Sequence, residues 1–434
     1  MPETALSRQT ALDLISFIDA SPSPWHAVAS AEQRLQAGGF ARLDEAARWA
    51  LTPGGRYYTV RGGASLIAFI VGARPPAEVG YRLVGAHTDS PGLRLKPRPA
   101  LGGEGLARLG VEVYGGPILA SFADRDLALA GRVMLRTAAG PRARLLRIER
   151  PLLRLANLAI HMNREVNESG LKFNKQTELP LLLGQLADAA EPEATLRALL
   201  ATAAQAEPGE LMSWELCAYD TQPGSLWGAR EEFIASRQLD NLASCHAALS
   251  ALVATKAPDA SCVAALFDHE EVGSESAAGA GGSFIADVLA RIGIAAGLDE
   301  EDRRRALAQS FCVSADMAHA WNPNFPAAYE PDHKVRVNGG PVIKTNANQR
   351  YATEAATAAR FMACCEAAEV PCQQYAHRSD LGCGSTIGPI VAARLGLPCV
   401  DVGSPMWAMH SARESAGAED PAHMIAALGA VYVG

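Results

Sequence analysis

No Lys/Arg-rich run longer than three residues occurs in the 434 residues, and the formal net charge is −8. Both facts argue against a nucleic-acid partner. No apolar stretch approaches the ~20 residues that a membrane span needs, and the first 20 residues lack a basic region followed by an apolar one. Neither a membrane protein nor a signal peptide is therefore expected. No CxxC pair marks a structural zinc site. Cysteine is scarce and odd in number, nine in all. Cys364 and Cys365 are adjacent, and Cys262, Cys312 and Cys399 sit inside apolar runs. That pattern suits buried thiols in a reducing compartment better than a disulfide framework, so a cytoplasmic protein is expected. Internal repeats and low-complexity linkers are absent, although residues 277–283 (AAGAGGS) form a Gly/Ala-rich loop.

What is present is a well-packed globular composition, 49% hydrophobic and 20% charged. The length exceeds one ordinary domain. Residues 1–20 read as an amphipathic helix with Leu12, Ile15 and Ile18, and a second helical pattern to residue 40 follows the break at Ser21-Pro22-Ser23-Pro24. Leu66 to Gly72 and Leu83 to Ala86 have the length of buried strands. After Pro97 the texture becomes antiparallel β, as in Val111-Glu112-Val113-Tyr114 before Gly115-Gly116. Residues 179–206 read as a helix on Leu181, Leu182, Leu186, Leu196, Leu199 and Leu200. From residue 233 apolar strands at 262–268, 311–315 and 398–402 alternate with Ala-rich helices. Alternation of this kind predicts an α/β fold with a mixed, mostly parallel sheet and helices on both faces. The expected arrangement is one such domain, residues 1–95 and 233–434, with a β-rich domain of residues 96–232 inserted.

The residues that follow the strands carry the chemistry. Val84-Gly85-Ala86 leads into His87-Thr88-Asp89. Ala264-Ala265-Leu266-Phe267 leads into Asp268-His269-Glu270-Glu271. Cys312-Val313-Ser314-Ala315 leads into Asp316, and Val400-Asp401-Val402-Gly403 is followed by Met409-His410-Ser411. Asp240 opens the helix expected at 242–255. In an open α/β sheet the carboxyl ends of the strands line one crevice. Two histidines and several carboxylates in one crevice suit Zn²⁺, Co²⁺ or Mn²⁺. Taken singly, Asp240 reads as a helix cap, Glu270-Glu271 as a solvated pair and His410 as a core or surface histidine. Separate accidents would not put metal-binding residue types after four strands. Charge counting favours two metals: Asp240, Glu271 and Asp316 plus a hydroxide balance two divalent ions, whereas one ion would leave buried negative charge. An Asp two residues beyond His87 can hold its other ring N–H. Glu270 and Glu271, being adjacent, can both reach the crevice only from a turn, because an extended chain would point them apart.

The segments Ala86-His87-Thr88-Asp89-Ser90-Pro91, Gln238-Leu239-Asp240-Asn241-Leu242, Asp268-His269-Glu270-Glu271-Val272-Gly273-Ser274, Ser314-Ala315-Asp316-Met317-Ala318-His319-Ala320 and Met409-His410-Ser411-Ala412-Arg413-Glu414 resemble the aspartyl aminopeptidase family of co-catalytic zinc exopeptidases. The resemblance covers nearly the whole chain, from Asp19. It implies that His87 and Asp316 hold one metal, Glu271 and His410 the other, and that Asp240 bridges them. It implies Glu270 as general base and Asp89 as the group orienting His87. Zinc is the implied metal, with cobalt or manganese as alternatives.

Leu158-Ala159-Ile160-His161-Met162-Asn163-Arg164 is similar to a family stretch whose histidine reaches a neighbouring subunit's site. His161 is thus implied to act across a dimer, either near the scissile carbonyl or at a metal. The resemblance also implies substrate contacts at Lys344 and at the loop Asp380 to Ile387, where Asp380 and Gly384 lie. It implies a dimer that builds a dodecamer, and short peptides with a free N-terminus, with Asp or Glu first, as substrates. A two-metal carboxypeptidase or deacylase, and a non-catalytic scaffold subunit of the same fold, are the rival readings.

Overall fold

The computed structural model describes residues 2–186 and 191–434. Contacts divide the chain into two compact units. The first comprises Met1–Asp89, Gly224–Met409 and Glu414–Gly434, and the second Ser90–Pro223 and His410–Arg413.

Among the described residues the first unit holds a nine-stranded sheet. Its spatial order is Ala41–Arg42, Arg56–Arg61, Ser65–Ile70, Ser261–Phe267, Tyr81–His87, Phe311–Ala315, Cys399–Gly403, Val342–Thr345 and Gln373–Ala376. The four strands from Ser261–Phe267 to Cys399–Gly403 run parallel, and antiparallel neighbours flank them on both sides. The central strands are mostly apolar because both faces are covered. Leu66, Ala68, Cys262, Ala264, Leu266 and Val313 face one core with Leu14, Ile18, Leu35, Leu249, Phe361 and Leu428 from the helices. The alternate residues Ile67, Phe69, Val263, Ala265, Phe267 and Cys312 face a second core with Phe284, Val288, Ile292 and Val391. Full burial of each such Leu, Ile or Phe contributes ~1.5–3 kcal/mol. The α/β class with helices on both faces is thus as expected.

The N-terminal helix Pro2–Asp19 buries Ala11, Leu14, Ile15, Phe17 and Ile18, whereas Leu12 is exposed. The break at Ser21 to Pro24 is real, since the second helix starts at Pro24. A separate five-stranded sheet of the same unit contains Phe233–Ser236, Pro405–Trp407 and Glu414–Gly417. No described helix is long and apolar enough to cross a membrane.

The second unit holds, among its described residues, a six-stranded antiparallel sheet with its own core of Leu93, Leu109, Leu127, Val133, Leu153 and Leu216. One expectation fails here. The predicted helix over 179–206 begins as a strand, Leu181–Gln185, paired to Leu106–Tyr114. Only Pro192–Ala204 is helical. Leu181, Leu182 and Leu186 fit a helical period, but Gly184 lies between them and the edge of the sheet takes the segment (residues 187–190 lie outside the described part).

Candidate metal centre

His87 closes its strand, pairs in register with Phe267 and is 1% exposed. Its Nδ1 lies 3.0 Å from the Asp89 carbonyl oxygen and 3.4 Å from Asp89 Oδ1. With the ring proton on that side, Nε2 offers its lone pair to the crevice. There it meets carboxylates: Asp240 Oδ1 at 3.4 Å, Asp316 Oδ1 at 3.5 Å and Glu270 Oε2 at 3.9 Å. Asp316 follows directly on Phe311–Ala315, and its N–H donates to Val402 O at 2.9 Å.

Asp240 sits in the first turn of the helix Leu239–Ala254, where it and Asn241 depart from helical angles. Its own N–H donates to Glu414 Oε2 at 3.0 Å. Glu414, quoted above only as the end of a motif, is thus a buried support for Asp240.

The two adjacent glutamates are held on a one-turn helix, Glu270–Val272, entered through His269 at φ +66°. Asp89 clamps that turn. Its Oδ1 accepts the N–H of Glu270 and its Oδ2 the N–H of Glu271, each at 3.1 Å. The turn that two neighbouring glutamates require is therefore present.

Charge is crowded here. Burial opposes the imidazolium of His87, yet Glu270, Asp240, Asp316 and Asp89 outweigh it and hold its pKa well above the ordinary value. Burial, helped by repulsion from Asp316, Asp240 and Asp89 against the pull of His87, raises Glu270 to about 8. Burial and the Asp240 charge push Glu271 well up too. A divalent cation relieves this crowding. Donor atoms of His87, Asp240 and Asp316 lie within 4.8 Å of one another, as do those of His87, Glu270 and Glu271. One imidazole nitrogen with carboxylate oxygens at this spacing fits zinc.

The other candidates are placed as follows. Lys344 is 2% exposed, and its Nζ donates to the carbonyls of Asp316 at 3.0 Å and Met317 at 3.2 Å. Gly403 backs the same carbonyl, where a Cβ would stand 1.8 Å from Asp316 O. Asp380 is exposed and paired to Arg378 at 2.6 and 2.9 Å. A Cβ at Gly384 would meet no atom within 4 Å, so nothing in this chain demands glycine there. His410 clusters with the second unit, its Nδ1 3.1 Å from Gly116 O, in the connection between the strands Pro405–Trp407 and Glu414–Gly417. His161 is exposed in an irregular stretch of the second unit, among the exposed Leu158, Ile160 and Met162.

A family model described as aminopeptidase I zinc metalloprotease (M18) matches residues 17–432. The chain belongs to the M18 aminopeptidase family. A probable M18 family aminopeptidase 2 of Azotobacter vinelandii is 49% identical over 424 residues, 96% of this chain and 97% of the relative. The protein of the same description from Pseudomonas aeruginosa is 48% identical over the same shares. Among solved structures, Ape4 in complex with Nbr1 superposes with a TM-score of 0.95 at 38% identity, covering 99% of this chain and 86% of that one. The S. cerevisiae mApe1 dodecamer gives 0.85 at 26% identity, covering 98% and 96%. The M18 chain described here is accordingly a zinc-dependent aminopeptidase.

Proposed function

We propose that the enzyme releases N-terminal residues, acidic ones foremost, from short peptides at a site built for two zinc ions. His87 and Asp316 would hold one ion, Glu271 and His410 the other, and Asp240 both. His410 is tied by chain to first-unit strands on either side, three residues beyond Trp407 and four before Glu414. When bound, zinc supplies Lewis acidity and lowers the pKa of a coordinated water to about 7. Glu270 takes the water proton and returns it to the leaving amine, acting first as general base and then as general acid. Asp89 holds His87 and the Glu270–Glu271 turn in register. The observation that carries this reading is that Asp89 accepts the N–H groups of both Glu270 and Glu271, so that both glutamates stand on one turn beside His87.

His161 would come from a second copy and donate to the developing oxyanion or approach a metal. Its exposed apolar neighbours suit a dimer contact, and residues 96–232 would serve as the dimerisation domain. By analogy with the mApe1 dodecamer, dimers would assemble into a dodecamer. Lys344 would bring positive charge to the substrate side chain, with Asp380 and Gly384 on a loop beside the peptide. All nine cysteines are free, which suits a cytoplasmic setting.

The experiment is a metal count with a substrate panel. Two zinc ions per chain, with hydrolysis of Asp- and Glu-anilides ahead of Leu-anilide and none of N-acetylated peptides, are expected. Cleavage of an acetylated peptide would point instead to a deacylase or carboxypeptidase, and one ion per chain would end the two-metal scheme.

A further inference from the structure

The helix Leu239–Ala254 does more than carry Asp240. Asn241, fully buried, donates from Nδ2 to the carbonyl of Ala315 at 2.9 Å. Ala315 is the residue immediately before Asp316. One turn further on, Cys245, 1% exposed, donates its S–H to the carbonyl of His87, also at 2.9 Å. The two accepting carbonyls sit at the carboxyl ends of parallel strands, where the ladder runs out and a buried oxygen needs another donor. Small apolar residues would fill either position equally well as packing, but they would leave the carbonyls unheld.

We propose that Asn241 and Cys245 are positioning residues that lock His87 and Asp316 to Asp240, so that one helix sets the spacing of all three donors to one zinc ion. This rests on the ligand assignment proposed above. Neither side chain belongs to the proposed ligand set. Asn241 fixes the backbone leading into one ligand, and Cys245 fixes the backbone of another. The first turn and a half of the helix thus ties together two strands that are already hydrogen-bonded neighbours. The tie adds the third donor and removes the freedom of the strand ends to spread.

The test uses the full-length chain with Cys245→Val, Cys245→Ser and Asn241→Leu. Each protein is stripped by chelator and titrated with zinc against a chromophoric competitor. Its Co²⁺ form is scanned in the visible, and apo unfolding is followed separately. Valine and leucine are expected to weaken one zinc site ~10–100-fold, the usual effect of losing a group that orients a ligand. The Co²⁺ bands should shift, and the kcat lost at limiting zinc should return in excess zinc. Serine keeps an O–H donor and is expected to stay near wild type in zinc affinity. Wild-type zinc affinity and Co²⁺ spectra in the valine and leucine variants would overturn the proposal, even if apo stability fell. If Asn241→Leu does not fold, the Cys245 pair decides alone. Retention of both zinc ions by His87→Ala and Asp240→Asn would instead overturn the ligand assignment, and this proposal with it.

Discussion

The edge of the first unit's sheet and the stretch around His161 in the second unit are built on opposite terms. His87, Asp89, Asp240 and Asp316 are buried, and each is fixed by hydrogen bonds at a strand end or helix start. Leu158, Ile160 and Met162 are exposed at 66, 47 and 74%, and residues near them form turns instead of sheet or long helix. Monomeric surfaces rarely spend large apolar side chains this way without a partner. The contrast separates two kinds of functional residue. One kind is held by the fold of its own chain. The other, on the reading proposed for His161, would draw its geometry from a second copy of the chain.

The hardest blow should fall on the buried side. Glu270→Gln is expected to keep zinc and fold and to lose ~10²–10⁴ in kcat, the range for a removed general acid–base group. Near wild-type hydrolysis of aminoacyl-anilides by that variant would remove Glu270 from its role. His161→Ala is next, with a loss of ~10²–10³ expected if it donates to the oxyanion. Mixing tests the contrast directly. An equal mixture of the two inactive variants, dissociated and reassembled, should recover about a quarter of the sites if His161 serves a twofold-related copy. Recovery of nothing would put His161 to work in its own chain or nowhere.

Legibility in the sequence follows the same division. The strands at 66–72, 83–86, 262–268, 311–315 and 398–402 are readable because burial on both faces leaves short, mostly apolar runs, and the ends of the parallel ones are where such sheets present ligands. The helix–strand error at 179–206 arose where apolar spacing fits either period and only pairing to Leu106–Tyr114 decides. Glu414, Asn241 and Cys245 were not singled out, because each acts through a main-chain atom remote in sequence. No residue-type pattern encodes such a bond. Gly403, by contrast, could have been flagged as a glycine ending a strand beside the expected ligands. The role proposed for His161 rests only on resemblance, since its surroundings carry no ligand pattern.

A smaller effect sharpens what holds the buried side together. Asp89→Asn keeps one acceptor oxygen but turns an NH₂ toward a backbone N–H, so the Glu270–Glu271 turn cannot keep both bonds. A fall of ~10–100-fold in zinc affinity or activity is expected. An unchanged zinc titration would mean that the turn holds itself.

The smallest expected effect concerns the fold behind the site. Asp420 is buried at the start of the helix Asp420–Val433, and it accepts the N–H groups of Asn338 at 2.7 Å and Gly340 at 3.0 Å. Burial outweighs those bonds and raises its pKa to about 7 from an ordinary 3.8. The folded state therefore binds the proton more tightly than the unfolded chain does. Its contribution to stability is complete below pH 3.8 and is lost as the pH climbs toward 7. The slope is at most about 1.4 kcal/mol per pH unit. Denaturant unfolding of the zinc-saturated enzyme between pH 5 and 8 should show a decline with pH that Asp420→Asn flattens. Asparagine has no charge to bury, although it loses one of the two acceptors and lowers the whole curve. Parallel pH profiles for the two proteins would show that Asp420 folds as an ordinary carboxylate, its two N–H bonds sufficing to hold the charge.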